Sequence, residues 1–110
     1  MNVYQTTQAS STGLVVADFD QIGTTAGSTA KDLSSAFTAE VYADYTLNAT
    51  GLGWINKTGI TYLGVREGHD VNNNTIATRA LNQVGFYFST EAGTTKDPKL
   101  VITYSLASAA

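Results

Sequence analysis

The chain offers few groups for acid–base or nucleophilic catalysis, since it has one histidine, His69, and no cysteine. His69 is followed by Asp70, but no G-x-S-x-G segment supplies a nucleophilic serine. Asp18 and Asp20 would lie about 7 Å apart on one face of an extended chain, a separation that glycosidase carboxylates can use. Such acidic pairs more often mark an exposed strand end. The sequence therefore predicts no catalytic residues and no enzyme activity.

A metal site is the next chemistry to consider, because an oxygen-rich stretch begins at Asp70 and continues as Val-Asn-Asn-Asn. An EF-hand would need glycine where Thr75 stands and glutamate where Leu81 stands, so this is not an EF-hand. A structural calcium ion held by Asp18, Asp20 or Asp70 with backbone carbonyls is one interpretation. An asparagine-rich turn without metal is the favoured one. No other cofactor is predicted.

Aromatic residues with polar neighbours could bind sugars, because a ring stacks on sugar C–H groups while amides and acids bond the hydroxyls. Tyr42 stands between Glu40 and Asp44 on the polar face of a predicted strand, and Tyr62 and Tyr87 lie opposite the predicted core faces. The candidate ligand-binding residues are Glu40, Tyr42, Asp44, Tyr62 and Tyr87. The alternative is that these tyrosines cover a second sheet or a subunit contact. Trp54, next to Leu52 and Ile55, is interpreted as a core residue.

Size and charge limit the partners. A chain of 110 residues forms one domain or less, and its net charge of −3 with six scattered Lys and Arg argues against nucleic-acid binding. No apolar run approaches the roughly 20 residues that span a bilayer, so no membrane insertion is predicted. The lack of cysteine excludes disulfides and is compatible with a cytosolic, surface or secreted protein.

The elements that would position these residues are mainly strands. Residues 37–47 alternate apolar and polar and are predicted to form a strand. Residues 48–59 are predicted to form a short helical corner, with Asn48 as N-cap and Gly59 as its end. The alternation returns over 60–66, which predicts a second strand. Further strands are predicted at 14–21, 83–90 and 99–105, with long loops at 23–35 and 67–82. The fold predicted is all-β: a single antiparallel β-sandwich of jelly-roll type over 1–110, with one short helical turn near 49–57.

The core predicted for this sandwich consists of the inward-facing apolar residues of each strand and of the corner. These are Leu14, Val16, Phe37, Val41, Tyr45, Leu47, Leu52, Ile55, Leu63, Val65, Phe86, Phe88, Leu100 and Ile102.

Three phrases, LVVADFDQIG, DYTLNATGLGWINKTGITYLGVREGHD and GTTKDPKLVITYS, resemble in order and spacing the C-terminal two-thirds of the DNRLRE-type domain. That resemblance implies a jelly-roll module related in shape to carbohydrate-binding modules. It also implies an extracellular, cell-surface or virion setting and, in some members, glycan binding.

The strands that precede this region in the resembled domain have no counterpart here. We expect the resulting open strand edge to be filled by another copy, by another chain or by further residues of a longer protein. The expected function is a non-catalytic surface module that binds a polysaccharide, a surface glycan or another protein. The alternative is a purely structural subunit of a fibre, shell or virion, assembled by strand complementation.

Overall fold

A computed structural model describes residues 1–79 and 83–108, and regular structure within these residues is confined to short elements. In chain order they are β1 (Asn2–Gln5), a 3₁₀ helix (Val16–Gln21), α1 (Ala49–Gly53), β2 (Leu63–Arg66) and α2 (Gly68–Val71). The described segments between them are turns, bends and irregular chain, and they contain most of the described residues.

The sheet described has two antiparallel strands, β1 and β2. Asn2 lies opposite Arg66 and Gln5 opposite Leu63. Thr6 continues the pairing beyond β1, since its N–H donates to the Tyr62 carbonyl at 3.2 Å. The predicted strand over 60–66 is therefore present in its second half, and its partner is the first strand of the chain.

The opposite edge of β1 is hydrogen-bonded as well, to an irregular segment further along the chain. The Gly27 N–H donates to the Val3 carbonyl at 2.8 Å, and the Gly23 N–H donates to the Gln5 carbonyl at 2.9 Å. With partners on both edges, β1 is the central strand of the fold. Val3 and Tyr4 on it are the buried apolar side chains of the described residues.

Buried polar groups beside β1 bond to one another. The Val3 N–H donates to Asn2 Oδ1 at 2.8 Å and to Ser28 Oγ at 3.3 Å. The Ser28 hydroxyl also donates to Asn2 Oδ1. Because an unpaired buried polar group costs about 1–3 kcal/mol, this local network is needed for Asn2 and Ser28 to lie inside.

Helix α1 forms where the sequence predicts a helical turn, and Asn48 is its N-cap. Asn48 Oδ1 accepts from the Gly51 N–H at 3.0 Å, which satisfies one of the free donors at the helix start. The helix ends at Gly53 with Trp54 as C-cap, before the predicted end at Gly59. The Asn48 N–H donates to the Gly27 carbonyl at 2.8 Å, and this bond ties α1 to the segment beside β1.

The jelly-roll prediction is wrong, because the described residues form a single sheet of two short strands. Residues 37–47 form turns and irregular chain, apart from an isolated bridge between Ser28 and Leu47. The predicted strand over 14–21 is largely a 3₁₀ helix. There Asp18 accepts from the Val15 N–H at 2.8 Å and donates its own N–H to the Val15 carbonyl at 2.9 Å. This local bonding competes with an extended conformation.

The predicted core is also wrong, since none of the fourteen side chains named for it is buried in the structure. Val16 is 96% exposed and Phe88 72% exposed. Alternation creates an apolar face, but a face is buried only where a second layer covers it. The described residues form no second sheet.

The chain consequently has a large surface for its length. Its solvent-accessible area is 8743 Å², whereas a compact protein of 11.6 kDa exposes about 5,800 Å². Its radius of gyration of 15.9 Å likewise exceeds the value of about 13 Å for a compact domain of this length. The structure extends over 61 Å in its longest direction.

Two glycines of α1 provide a matched test of its docking. A Cβ at Gly51 would lie well inside 3.0 Å of the Gly27 carbonyl oxygen, whereas a Cβ at Gly53 would meet nothing within 4 Å. We expect Gly51→Ala to lower the free energy of unfolding by about 1–3 kcal/mol, because the added methyl group forces the backbone at Gly27 and α1 apart. Gly53→Ala should raise it by up to about 1 kcal/mol. Urea denaturation measures both, and equal effects of the two substitutions would contradict this docking.

Candidate functional site

The structure brings together Glu40, Tyr42 and Tyr87, three of the five candidate ligand-binding residues, and adds Lys96 and Lys99. We call these five residues the clasp. The Tyr87 hydroxyl donates to Glu40 Oε1, and Lys96 Nζ lies 2.8 Å from Glu40 Oε2. Each lysine also sits over a ring: Lys96 Nζ is 4.6 Å from the Tyr87 centroid and Lys99 Nζ 4.1 Å from that of Tyr42.

The clasp joins two distant parts of the chain. Besides the Glu40 contacts, the Tyr42 hydroxyl shares its one hydrogen between the Asp97 carbonyl at 2.8 Å and the Thr95 carbonyl at 2.9 Å. Glu40 itself adopts a left-handed backbone conformation with φ of 64°, which is uncommon for a residue with a side chain. The clasp thus attaches residues 87–99 to the turn at residue 40.

Charge interactions shift the pKa values of three clasp groups. Hydrogen bonds from Lys96 and then Tyr87 lower the pKa of the Glu40 carboxyl. The hydrogen bond to Glu40 raises the pKa of Lys96 and also that of Tyr87. These groups are solvent-exposed, so screening limits the contribution of their ion pair to stability.

Tyr62 and Asp44, the other candidate ligand-binding residues, are not among the residues that bond within the clasp. Tyr62 is half-buried and its carbonyl extends the pairing of β1 with β2. Asp44 is exposed and its carboxylate forms no hydrogen bond or ion pair with another described residue. A sugar at the clasp would have to use the ring faces opposite the lysines. Glycan binding by the five candidate residues stays a prediction.

The acidic residues considered for calcium have separate partners. Asp18 bonds the Val15 N–H, and Asp70 accepts from Arg66 Nε at 2.6 Å, while Asp20 lines a cavity described below. In the part of the chain that the structure describes, no three acidic, histidine or cysteine side chains converge as a metal site. The calcium site stays a prediction.

His69 lies at the start of α2 and bonds an acid other than its sequence neighbour. Its Nδ1 is 2.9 Å from Glu67 Oε1, and its N–H donates to Glu67 Oε2 at 2.7 Å. Glu67 thereby acts as the N-cap of α2. Asp70 bonds Arg66 instead. His69 is therefore part of a capped turn. The absence of enzyme activity stays a prediction.

A cavity that the sequence interpretation missed lies beside Trp54. Its volume is about 360 Å³, and its lining combines the indole with polar side chains of Gln5, Thr7, Asp20 and Gln21. Ile22 to Thr25 complete it, and residues 23–25 belong to the predicted long loop over 23–35. That loop was the available signal, since long connections often carry binding residues. Trp54 is half-buried here and is not enclosed in a core.

Neither the family models, the curated proteins nor the solved structures contain a match to this chain. The resemblance to the DNRLRE-type domain therefore stays a prediction. Within the described residues, no helix has the length and apolar character needed to cross a membrane.

The clasp makes a prediction about pH. Because the pKa of Glu40 lies below its ordinary value of 4.5, its contribution to the clasp is present above that pH and is lost as pH falls through the lowered pKa. The contribution of Lys96, whose pKa lies above 10.5, is lost as pH rises through the raised value. Glu40→Gln should therefore lower the pKa of Tyr87 and of Lys96.

Carbon-13 NMR of labelled tyrosine and lysine measures both titrations. Asp44→Asn, a nearby substitution outside the clasp, is the control and should leave both midpoints in place. An unchanged Tyr87 midpoint in Glu40→Gln would show that the hydroxyl and the carboxylate do not bond in solution.

Proposed function

We propose that this chain is a non-catalytic structural module whose function is to associate with further copies of itself, as a subunit of an extracellular, cell-surface or virion assembly. The observation that carries the proposal is the exposed apolar surface of two segments, 84–88 and 100–106, called here the C-terminal segments, which have no regular secondary structure in the single chain although the sequence predicts strands over 83–90 and 99–105.

The size of the exposed surface favours association. The area of 8743 Å² is about 2,900 Å² more than a compact protein of this mass exposes. Obligate interfaces bury about 2,000–5,000 Å² in total, or half of that on each partner. The excess is thus large enough to supply an obligate interface on each copy.

Three consecutive apolar residues of segment 100–106 are exposed. Leu100 is 55% exposed, its neighbour Val101 77% and Ile102 53%. A half-buried strand would expose only alternate residues, whereas a strand covered on both sides has consecutive apolar residues. The exposure of three consecutive residues is typical of a segment that becomes covered on both sides.

The main chain of these segments is available for pairing. No backbone hydrogen bond joins residues 100–106 to another described residue, and for 84–88 the single such bond runs from the Glu91 N–H to the Phe88 carbonyl. Proteins protect open strand edges with charges or proline. Neither C-terminal segment contains a charged residue or a proline.

A second copy is the partner that this chemistry fits. Two neutral segments of identical sequence can pair antiparallel about a twofold axis without placing like charges opposite each other. The aromatic and β-branched residues of 100–106, Leu-Val-Ile-Thr-Tyr-Ser-Leu, favour such pairing. The pairing would add strands across the interface, as in β-augmentation.

The purified chain should therefore sediment as a dimer or larger assembly at micromolar concentration. Ile102→Lys should weaken self-association at least tenfold, because the interface would have to bury an unpaired ammonium. Ile102 is 53% exposed in the single chain, so the substitution should leave the fold of the monomer intact. Sedimentation velocity measures the association, and circular dichroism checks the fold.

Val16→Lys is the matched control, because Val16 is 96% exposed but lies in the 3₁₀ helix outside the C-terminal segments. It should associate like the unsubstituted chain. A chain that is monomeric at these concentrations and unfolds cooperatively would contradict the proposal. Equal weakening by both substitutions would assign the association to general surface hydrophobicity.

A further inference from the structure

The cavity beside Trp54 lies where the chain beyond β1 runs next to the segment after the 3₁₀ helix. The Thr7 N–H donates to the Gln21 carbonyl at 3.0 Å, and the Gly23 N–H donates to the Gln5 carbonyl at 2.9 Å. These bonds hold two walls of the cavity at a fixed separation. Its volume of about 360 Å³ falls at the small end of the range of about 300–1,000 Å³ for small-molecule sites.

Trp54 is the aromatic group of the cavity, and its position is held by backbone. The six-membered ring of the indole packs directly on Gly27, where an added Cβ would lie inside 3.0 Å of the ring carbon Cζ3. Gly27 is buried and is hydrogen-bonded to Val3 on one side and to Asn48 on the other. The ring therefore rests on the most constrained part of the fold. Such a rigid aromatic surface loses little entropy when a ligand binds to it.

The polar part of the lining can bond hydroxyl groups. The Thr7 hydroxyl donates to Gln21 Oε1 at 3.0 Å, and this bond orients the Gln21 amide so that its NH₂ group can donate to a ligand. The Asp20 carboxylate can accept from a ligand, and Thr24 and Thr25 add hydroxyls that do either. Donors and acceptors are thus both present around one aromatic surface.

The charge of the lining selects against anions. Among the described lining residues Asp20 is the charged one, and the whole chain carries a net charge of −3. Arg66 donates to the Ile22 and Gly23 carbonyls at 3.0 and 3.3 Å, but it does not line the cavity and its guanidinium pairs with Asp70. A phosphate, sulfate or carboxylate beside Asp20 would be repelled. A nucleotide could stack on the indole, but its phosphates are disfavoured for this reason.

We propose that the Trp54 cavity binds one neutral sugar residue, with the apolar C–H face of the sugar against the indole and its hydroxyls bonded to Asp20 and Gln21. A pyranose ring combines an apolar face with a girdle of hydroxyls, and the cavity offers the complementary groups. This site goes beyond the association through the C-terminal segments. None of the C-terminal segments contributes to its lining.

The fluorescence of Trp54 reports the site directly, since it is the one tryptophan of the sequence. The probes are the methyl glycosides of glucose, galactose, mannose and N-acetylglucosamine, titrated up to about 50 mM. At least one should change the emission in a saturable way. A millimolar dissociation constant is expected, because a ligand of about 13 non-hydrogen atoms gains little affinity per atom.

Two substitutions test the assignment to this cavity. Asp20→Asn and Gln21→Ala should each weaken binding about tenfold, because the first replaces a charged acceptor by a weaker neutral one and the second removes the amide that bonds a ligand hydroxyl. Both residues are exposed, so their substitution should preserve the fold. Asp44→Asn is the control for loss of a negative charge, and it should leave binding unchanged.

Gly27→Ala tests the role of Gly27 as a positioning residue. The added methyl group would displace the indole, so sugar binding should weaken and the Trp54 emission should shift even without sugar. Ile102→Lys should leave sugar binding intact, which separates this site from the association proposed above.

The source of the sugar is distinguished by beads that carry the same sugar linked through its anomeric oxygen. If the beads retain the chain, the natural ligand is the terminal sugar of a glycan. If only the soluble glycoside binds, the natural ligand is a free sugar. Either result supports the site. Three results would overturn it: no saturable change with any glycoside, a change that persists in both Asp20→Asn and Gln21→Ala, or tighter binding of adenosine monophosphate than of the sugars.

Discussion

The described structure depends on the hydrogen bonds of β1 along both of its edges. One edge pairs with β2, and the other accepts from Gly27 and Gly23 through the carbonyls of Val3 and Gln5. Gly27 also connects this segment to α1, because its carbonyl accepts from the Asn48 N–H at the start of the helix. The sheet, the loop and the helix are therefore held by one short strand of four residues. A two-stranded sheet alone is marginally stable in water, so this second edge is needed.

The same arrangement accounts for the exposed surface. Among the described residues burial is concentrated around β1, and residues 87–99, which have no regular secondary structure, reach the body of the structure through the clasp. Exposed ion pairs such as Glu40 with Lys96 contribute little stability in water. The C-terminal segments therefore have few stabilising contacts within one copy. The proposed association would add contacts to these segments, since a second copy would cover them.

The two proposed sites differ in how they are held. The cavity is formed by segments that bond directly to β1, and its indole packs on buried backbone at Gly27. The C-terminal segments have few such contacts and can adapt to a partner. The proposed small-molecule site and the proposed protein interface thus lie in separate parts of the chain, one rigidly held and the other adaptable. Binding at one need not require a change at the other.

The sequence by itself determined the local features. Asn48 caps a helix because its side chain reaches an N–H three residues ahead, and the alternation around Leu63 favours an extended chain through local sterics. Glu40, Tyr42 and Tyr87 were named together from their residue types, but the sequence did not indicate their contacts. The contacts of Glu40 with Lys96 and of Tyr42 with Lys99 span more than fifty residues and have no local signal.

Tertiary structure alone decided which apolar faces are covered. Period-two alternation predicts that a segment has an apolar side, but it does not specify a partner that would bury that side. The predicted jelly roll required second-layer partners for residues 37–47 and 99–105, and the described chain does not supply them. The contact between Gly27 and Trp54 could not be predicted from the sequence either, because it depends on how the loop that contains Gly27 lies against β1 and α1. Pairing and cavity formation are long-range properties, whereas capping and strand preference are local ones.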